Sequence, residues 1–411
     1  MFAIIEEIEA QRNYEFPYAS SHSSKVVETM DFQIKAYKFR ISNPSKIVQA
    51  NLEQTLNLCR DIYNAALQER RDAYKINRTS INYYDQANQL SEIKTTNPEY
   101  KEIHSQVLQD VLKRLDKTFK AFYARAKKGQ AGFPRFKGAS RFDSFCFPQS
   151  GFSLTGNKLT LSKIGTVKLK LSRKIQGKIK TLTIKRECGR WFAIFTVETK
   201  TEPLPHSDKA IGIDVGLENY ATYTEGEPTP NPRFFETLQS KLRVAQRKVS
   251  RRKKGSHRRR KAILALRKIH QKIKDCRNDF QHKLSTKIVS EYGTIAVEDL
   301  NILGMSRGIL SKQILDASWA SFLFKLQFKA ENAGRIFRRV NPNGTSQTCI
   351  CGAKVKKKLS VRRHHCLECG LSAHRDSVSA SVILSRAGHS PSGANVNRLD
   401  YAYPENPLPN L

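Results

Sequence analysis

The stretch 209-KAIGIDVGLENYATYT-224 constrains the fold more than any other. An apolar run, Ile211 to Val215, carries one acid, Asp214, in its middle, with Gly212 and Gly216 on either side. A second strand-like segment, Tyr220 to Tyr223, follows at hairpin distance. A carboxylate inside a buried-strand pattern is costly unless something pairs it, and a divalent cation is the usual compensation. The pattern recurs at 294-TIAVEDLN-301, an apolar strand ending in Glu298 and Asp299. With Glu298 pointing inward, Asp299 faces the other side of the strand and drops out of the set. A third acid, Asp376, opens 374-HRDSVSASVIL-384, which reads as a helix start.

A chain of 411 residues is too long for one ordinary core, so two to four domains are expected. Lys plus Arg number 72 against 37 Asp plus Glu, a net charge of +35. So large an excess repels itself in the compact state and makes sense if a polyanion neutralises it. A membrane surface is disfavoured: no apolar stretch is long enough to span a bilayer, and no lipidation motif is present. The start, MFAIIEEIEAQ, lacks the cationic and apolar regions of a secretory signal, so an intracellular protein is expected. Four of the eight cysteines cluster near the C-terminus, which in a reducing compartment points to metal rather than disulfides. Cys59, Cys146, Cys188 and Cys276 are scattered and read as core or surface thiols.

In chain order, residues 1–30 are mildly acidic and irregular and receive no function. From Phe32 the pattern alternates, Tyr37, Phe39 and Ile41 against Lys38 and Arg40, a strand with one basic face. Asn43-Pro44-Ser45 caps a helix with Leu52, Leu56, Cys59, Tyr63 and Ala66 at helical spacing. A second helix is predicted around Ile81 to Ile93. A third has Val107, Leu108, Val111, Leu112, Leu115, Phe119 and Phe122 on one face. The turn 132-GFPRFKG-138 packs Phe133, Arg135, Phe136 and Lys137 into seven residues. It reads either as a Pro-ordered turn with solvated charges or as a contact for backbone and bases of single-stranded nucleic acid. Alternating runs between 141 and 199 predict an antiparallel sheet or small barrel, again with a basic face. The segment 200-KTEPLPHSDK-209 reads as a linker and domain boundary.

Residues 240–274 hold 16 Lys or Arg among 35, including 251-RRKKGSHRRRK-261. Leucine and isoleucine spacing around them predicts two long helices broken near Gly255. Arg251, Arg252, Lys253, Lys254, Arg258, Arg259, Arg260 and Lys261 are the candidate phosphate contacts, because such density repels itself unless phosphates are near. Residues 309–334 read as an amphipathic helix or helix pair packing on the sheet, and 335–340 as a further strand. Cys349 and Cys351 stand 14 residues from Cys366 and Cys369, a zinc-ribbon spacing whose first knuckle, C-I-C-G, is one residue short. His364, His365 or His374 could replace one thiolate. Four closed ligands make a structural zinc, with no position left for a substrate. The last 23 residues, rich in Pro and Asn, read as a disordered tail.

Two strand acids and one helix acid, far apart in sequence, are the ligand set of an RNase H-like nuclease. That order of acids around a four-cysteine insertion, the 132–138 turn, 345-TSQTC-349 and the start KAYKFRI…LEQTLNLCRDIYNAALQERR together resemble the TnpB family over about residues 32–388. These are transposon-encoded RNA-guided DNA nucleases, similar to compact type V CRISPR effectors. The resemblance implies an α/β multidomain fold. A wedge-like β-barrel (31–44 and 130–199) would be interrupted by a helical recognition domain (45–129). After a linker (200–208), a RuvC-like, RNase H-like nuclease domain (209–344 and 372–388) would carry a zinc ribbon (345–371), with a tail at 389–411. It implies Asp214, Glu298 and Asp376 as catalytic acids holding two Mg²⁺, Cys349, Cys351, Cys366 and Cys369 as ligands of one Zn²⁺, a guide RNA from the transposon end, and target DNA cut beside a short motif. A cytoplasmic, nucleoid-associated place in a prokaryotic host follows. Here His374-Arg375-Asp376 stands where the family commonly has Asp-Arg-Asp, and Ser379-Ala380 where it has Asn-Ala-Ala. Two other classes compete: an RNA-guided DNA-binding repressor with impaired cleavage, and an accessory transposition protein binding transposon ends without RNA. The sequence does not specify an oligomeric state.

Overall fold

A computed structural model describes residues 32–130, 132–358 and 361–390. The expected extension at 1–30 and all of the expected tail except 389–390 lie outside them. The chain divides between Lys200 and Thr201 into two compact units.

The first unit begins with β1 (Phe32–Ser42), whose alternation buries Tyr37, Phe39 and Ile41. Ser45 then caps α1 (Lys46–Asn77), its hydroxyl accepting from Val48 N–H. Two short helices, α2 (Tyr83–Asn88) and α3 (Leu90–Thr96), stand where one was predicted around Ile81 to Ile93. Asn82 and Asp85 form a reciprocal cap that starts the first only at Tyr83. The Gln86 and Gln89 side chains both donate to the Glu69 carboxylate, which turns the chain between the two helices. Next, α4 (Ser105–Ala126) buries Val107, Leu108, Val111, Leu112, Leu115 and Phe119 against α1.

Six strands follow: β2 (Ser144–Phe147), β3 (Phe152–Thr155), β4 (Lys158–Leu161), β5 (Gly165–Lys170), β6 (Lys178–Glu187) and β7 (Arg190–Lys200). With β1 they make an antiparallel sheet in the order β2-β6-β7-β1-β5-β4-β3, so the helices are inserted between the sheet's first and second strands. The two edges are joined by the short connection 148–151, and Phe147 and Phe152 meet across it with ring centroids 6.3 Å apart, giving a nearly closed barrel. The β6–β7 turn places Cys188 and Gly189 both at positive φ (48° and 77°), the backbone of a type I′ hairpin.

In the second unit, residues 201–209 carry no regular structure. Then come β8 (Ala210–Asp214), β9 (Asn219–Tyr223), β10 (Thr229–Pro230), α5 (Phe234–Ser250), α6 (His257–Glu291) and β11 (Thr294–Glu298). They are followed by α7 (Ile302–Met305), α8 (Ser311–Ala317), α9 (Trp319–Asn332), β12 (Ile336–Val340), β13 (Arg363–His365), β14 (Ser372–His374) and α10 (Arg375–Arg386). The sheet order is β10-β9-β8-β11-β12, with β9 antiparallel to β8 and the triple β8-β11-β12 parallel. Apolar residues of α6, α8 and α9, among them Ile288, Ile314, Trp319, Phe322 and Leu326, pack with Ile211, Ile213, Ile295 and Val297. A separate cluster joins Ile383 and Leu384 of α10 to Ala296 and Val340. The basic helices break across 251–256, where Gly255 takes φ +82°. The 309–334 segment is a helix pair, parted at Ser318 (φ 53°).

Candidate active site and cysteine cluster

Parallel pairing sets the first two acids side by side. The ladder runs from Thr294↔Ala210 to Val297↔Ile213, so Asp214 and Glu298, each the last residue of its strand, leave the sheet at the same end. Asp214 therefore ends β8 rather than lying inside the strand, its backbone still paired with Thr222 of β9. The third acid arrives on α10, which crosses β8 at backbone contact. A Cβ on Gly212 would come within 2.0 Å of the Ala380 carbonyl oxygen, so only glycine admits the helix there. The Thr224 hydroxyl fills the same junction, accepting from Gly212 N–H at 2.8 Å. Asp376 lies in the first turn of α10, capped by His374, whose Nδ1 accepts from Asp376 N–H at 3.3 Å.

The electrostatics record this convergence. Burial lifts Asp214 well above its ordinary carboxylate value, and the charges of Glu298 and then Asp376 lift it further. Burial also raises Glu298, opposed by a hydrogen bond that the Thr345 hydroxyl makes to its Oε1. Asp376 instead has cationic company: Arg375 Nε donates to its Oδ1 at 2.9 Å, and Arg362 Nη1 lies 3.9 Å from its Oδ2. Asp299 is apart, exposed and paired with Arg339 at 3.3 Å. A buried acid raised by two others calls for a cation beside it, and hard carboxylate oxygens suit Mg²⁺. The donor set fits that ion in kind, although the three are not drawn into mutual ligating contact.

The four cysteines are. Cys349, Cys351, Cys366 and Cys369 place their sulfurs within 4.8 Å of one another, the one such set of three or more metal-binding side chains among the described residues. Cys349 and Cys369 Sγ are 3.6 Å apart, Cys351 and Cys366 Sγ 3.7 Å. Zn–S bonds of about 2.3 Å in a tetrahedron put sulfurs about 3.8 Å apart, so the group fits zinc. The short first knuckle closes through Cys349 N–H to the Ala353 carbonyl (2.8 Å), with Gly352 at φ +93°. The second closes through Cys366 N–H to Leu371 (2.9 Å), with Gly370 at φ +72°. Backbone N–H groups of Cys369 and Glu368 draw the Cys366 thiol down to about 7, while burial holds Cys349 up near 12. The candidate substitutes stay outside: His364 is buried with Nδ1 against Lys357 Nζ, His365 is exposed, and His374 caps α10.

The nucleic-acid candidates lie in two places. Arg251, Arg252, Lys253 and Lys254 are exposed in the turn between α5 and α6; Arg258, Arg260 and Lys261 are exposed at the start of α6, and Arg259 is partly covered. Three arginines in the first turn of a helix oppose its macrodipole, a disadvantage that bound anions would reverse. In the 132–138 turn, Pro134 is buried, and Phe133 packs edge-on against Phe119 and Phe122 at 5.8 and 5.3 Å. Arg71 covers Phe136 at 5.4 Å, Lys137 exchanges backbone hydrogen bonds with the Asn64 amide, and Arg135 is exposed. The turn is thus ordered by its own chain, with Phe133 and Phe136 still 46% and 43% exposed. Sequence reading missed Thr345, Arg362 and Arg375 as neighbours of the acids. The 345-TSQTC-349 motif was its only signal for the first, His374-Arg375-Asp376 carried Arg375 without a role, and nothing marked Arg362.

Family comparisons cover most of the described chain. Residues 194–308 match a family model described as a probable transposase of the OrfB IS605 type. Residues 319–383 match a Cas12f1-like TNB domain, and 30–79 a helix-turn-helix domain of the same transposase group. A curated relative from Streptomyces pristinaespiralis, named provisionally as an RNA-guided DNA endonuclease, is 32% identical over 85% of this chain and 89% of its own. InsQ of Escherichia coli K12, named in the same way, is 29% identical over 87% and 93%. A solved structure of the mini-RNA-guided endonuclease CRISPR-Cas_phi3 aligns with 95% of this chain and 98% of its own at 10% identity and a TM-score of 0.47. Among the described residues no helix is long and apolar enough to cross a membrane.

Proposed function

Because the chain belongs to the TnpB-like family of transposon-encoded RNA-guided DNA endonucleases, we propose that it cleaves DNA selected by base pairing with a bound guide RNA. The nuclease centre is a RuvC-type site of Asp214, Glu298 and Asp376 in the domain 209–344 plus 372–388. The observation that carries this reading is the convergence of three acids from β8, β11 and α10 at one end of one sheet.

Asp214, Glu298 and Asp376 would together hold the Mg²⁺. Bound divalent cations of this kind activate a water for attack on phosphorus and neutralise charge on the phosphoryl and leaving oxygens. The Thr345 hydroxyl orients Glu298, and the His374 ring fixes the first turn of α10 so that Asp376 keeps its direction. Cys349, Cys351, Cys366 and Cys369 hold one structural Zn²⁺ in the ribbon 345–371. The barrel (31–44 and 130–199) and helical domain (45–129) serve the guide RNA and target, with Phe133, Arg135, Phe136 and Lys137 contacting nucleic acid. Arg251 to Lys254 and Arg258 to Lys261 contact backbone phosphates, which supply affinity but no sequence information. Sequence choice falls to the guide, derived from the transposon end, and the protein reads duplex shape and a short adjacent motif.

The decisive experiment pairs guide-loaded wild-type protein with Asp214→Ala and Asp299→Ala on a matched target in Mg²⁺. Loss of a metal ligand removes several kcal/mol of transition-state stabilisation, so Asp214→Ala should bind the target and cut it slower by orders of magnitude. Asp299→Ala, whose carboxylate faces solvent and Arg339, should cut nearly normally. A fully active Asp214→Ala protein sinks the nuclease site; wild-type protein that binds through RNA and never cuts restores the repressor.

A further inference from the structure

Beside Asp376, charged side chains from three segments meet. Arg362, just before β13, presents its guanidinium fork to two acids: Nη2 lies 3.2 Å from Glu218 Oε2 and Nη1 3.9 Å from Asp376 Oδ2. Glu218 stands in the connection between β8 and β9, four positions after Asp214. Arg375 fixes the segment that carries Arg362. Its backbone N–H donates to the Arg362 carbonyl at 2.7 Å, its Nη1 reaches the Val361 carbonyl at 3.4 Å, and its Nε holds Asp376. His374 lies within electrostatic reach of Asp376, Glu218, Arg362 and Arg375 together. Register fixes the base of this group as well: Arg363 pairs with His374 where the cysteine hairpin joins α10.

We propose that Arg362 and Glu218 form an ionic clasp that sets the affinity of the acid site for its divalent metal. The inference rests on the reading of Asp376 as a metal ligand. A guanidinium 3.9 Å from Asp376 Oδ2 already offsets part of the charge that would hold the cation, and its own charge repels the cation besides. Glu218 gives that guanidinium a second anchor, so Arg362 can withdraw from Asp376 without being left unpaired. Arg362 therefore weakens metal binding and Glu218 moderates the weakening. Arg375 differs from Arg362 in being largely buried and tied to backbone carbonyls, so it positions Asp376 and stays when metal enters. The clasp is mounted on the cysteine hairpin, so a shift of that hairpin against α10 would change how firmly Asp376 is held.

The test is calorimetric titration of Mg²⁺ into full-length, RNA-free protein without DNA, with Asp214→Ala as the blank for binding elsewhere. Arg362 and Glu218 side chains are 49% and 46% exposed, so neither substitution threatens the fold. Exposed ion pairs are worth little, so Arg362→Gln should tighten Mg²⁺ roughly two- to fivefold. Glu218→Gln should weaken it by a similar factor in the wild-type background and change it little when Arg362→Gln is also present. That non-additivity separates a clasp from direct attraction of the cation by Glu218. Unchanged or weaker binding by Arg362→Gln overturns the proposal, as does an equal loss from Glu218→Gln in both backgrounds. If instead wild type and Asp214→Ala bind Mg²⁺ alike, the acid site itself is misassigned.

Discussion

Asp214 shows at the scale of one residue how a site is assembled at the expense of stability. Its carboxyl binds a proton more tightly in the fold than in the unfolded chain, because burial and two neighbouring acids oppose its charge. A carboxyl raised in this way contributes fully below its unfolded value of about 3.9, and that contribution is lost as pH rises through the window up to the folded value. Metal-free protein should therefore lose stability as pH rises from about 4. Asp214→Asn should melt higher than wild type at pH 7.5 without divalent cations and lose that advantage as the pH approaches 4. Thermal unfolding of both proteins across that range, in chelator, measures the effect. Equal melting temperatures at pH 7.5 would mean that the acids do not repel one another.

At the scale of elements, the site depends on how closely α10 lies against β8. Gly212 sets that distance, and the side chain of alanine has no room beside the Ala380 carbonyl. Gly212→Ala should destabilise the protein by about 1–3 kcal/mol, the usual range for overpacking. It should also lower cleavage more than RNA binding, since Asp376 moves with the helix; urea denaturation and paired cleavage and binding assays separate the two effects. The cysteine hairpin makes a second element-scale prediction. Metal analysis should find about one zinc per chain, lost in Cys366→Ser and in Cys369→Ser. Full zinc in Cys351→Ser together with loss in a His365 variant would replace Cys351 as a ligand.

For the whole molecule, the net charge of +35 governs association. No acid interrupts residues 237–274, so the α5–α6 hairpin presents a continuous cationic surface for phosphates to neutralise. Neutralising Arg258, Arg259 and Arg260 together should weaken RNA binding and flatten its dependence on salt by about two to three units of slope. Binding isotherms at several salt concentrations give that slope directly. An unchanged slope would leave these arginines as a solvated face.

Some of this was legible in residue order alone. Burial periodicity marked β1, α1, α4 and most strands of the two larger sheets, though not β10, because solvent sorts side chains locally and alternation or helical spacing records the sorting. One acid inside an apolar run, one at the end of another and one at a helix start, with cysteines at knuckle spacing, marked the metal-binding candidates, because a buried carboxylate is expensive unless a cation accepts it. Tertiary structure decided what depends on contacts between distant segments. It divided the predicted second helix through Glu69, seated Thr345 on Glu298, and brought Arg362 to Asp376 and to Glu218 from 14 and 144 residues away. Those contacts follow from strand register and from the approach that Gly212 permits, and neither is written in the pattern of any one segment.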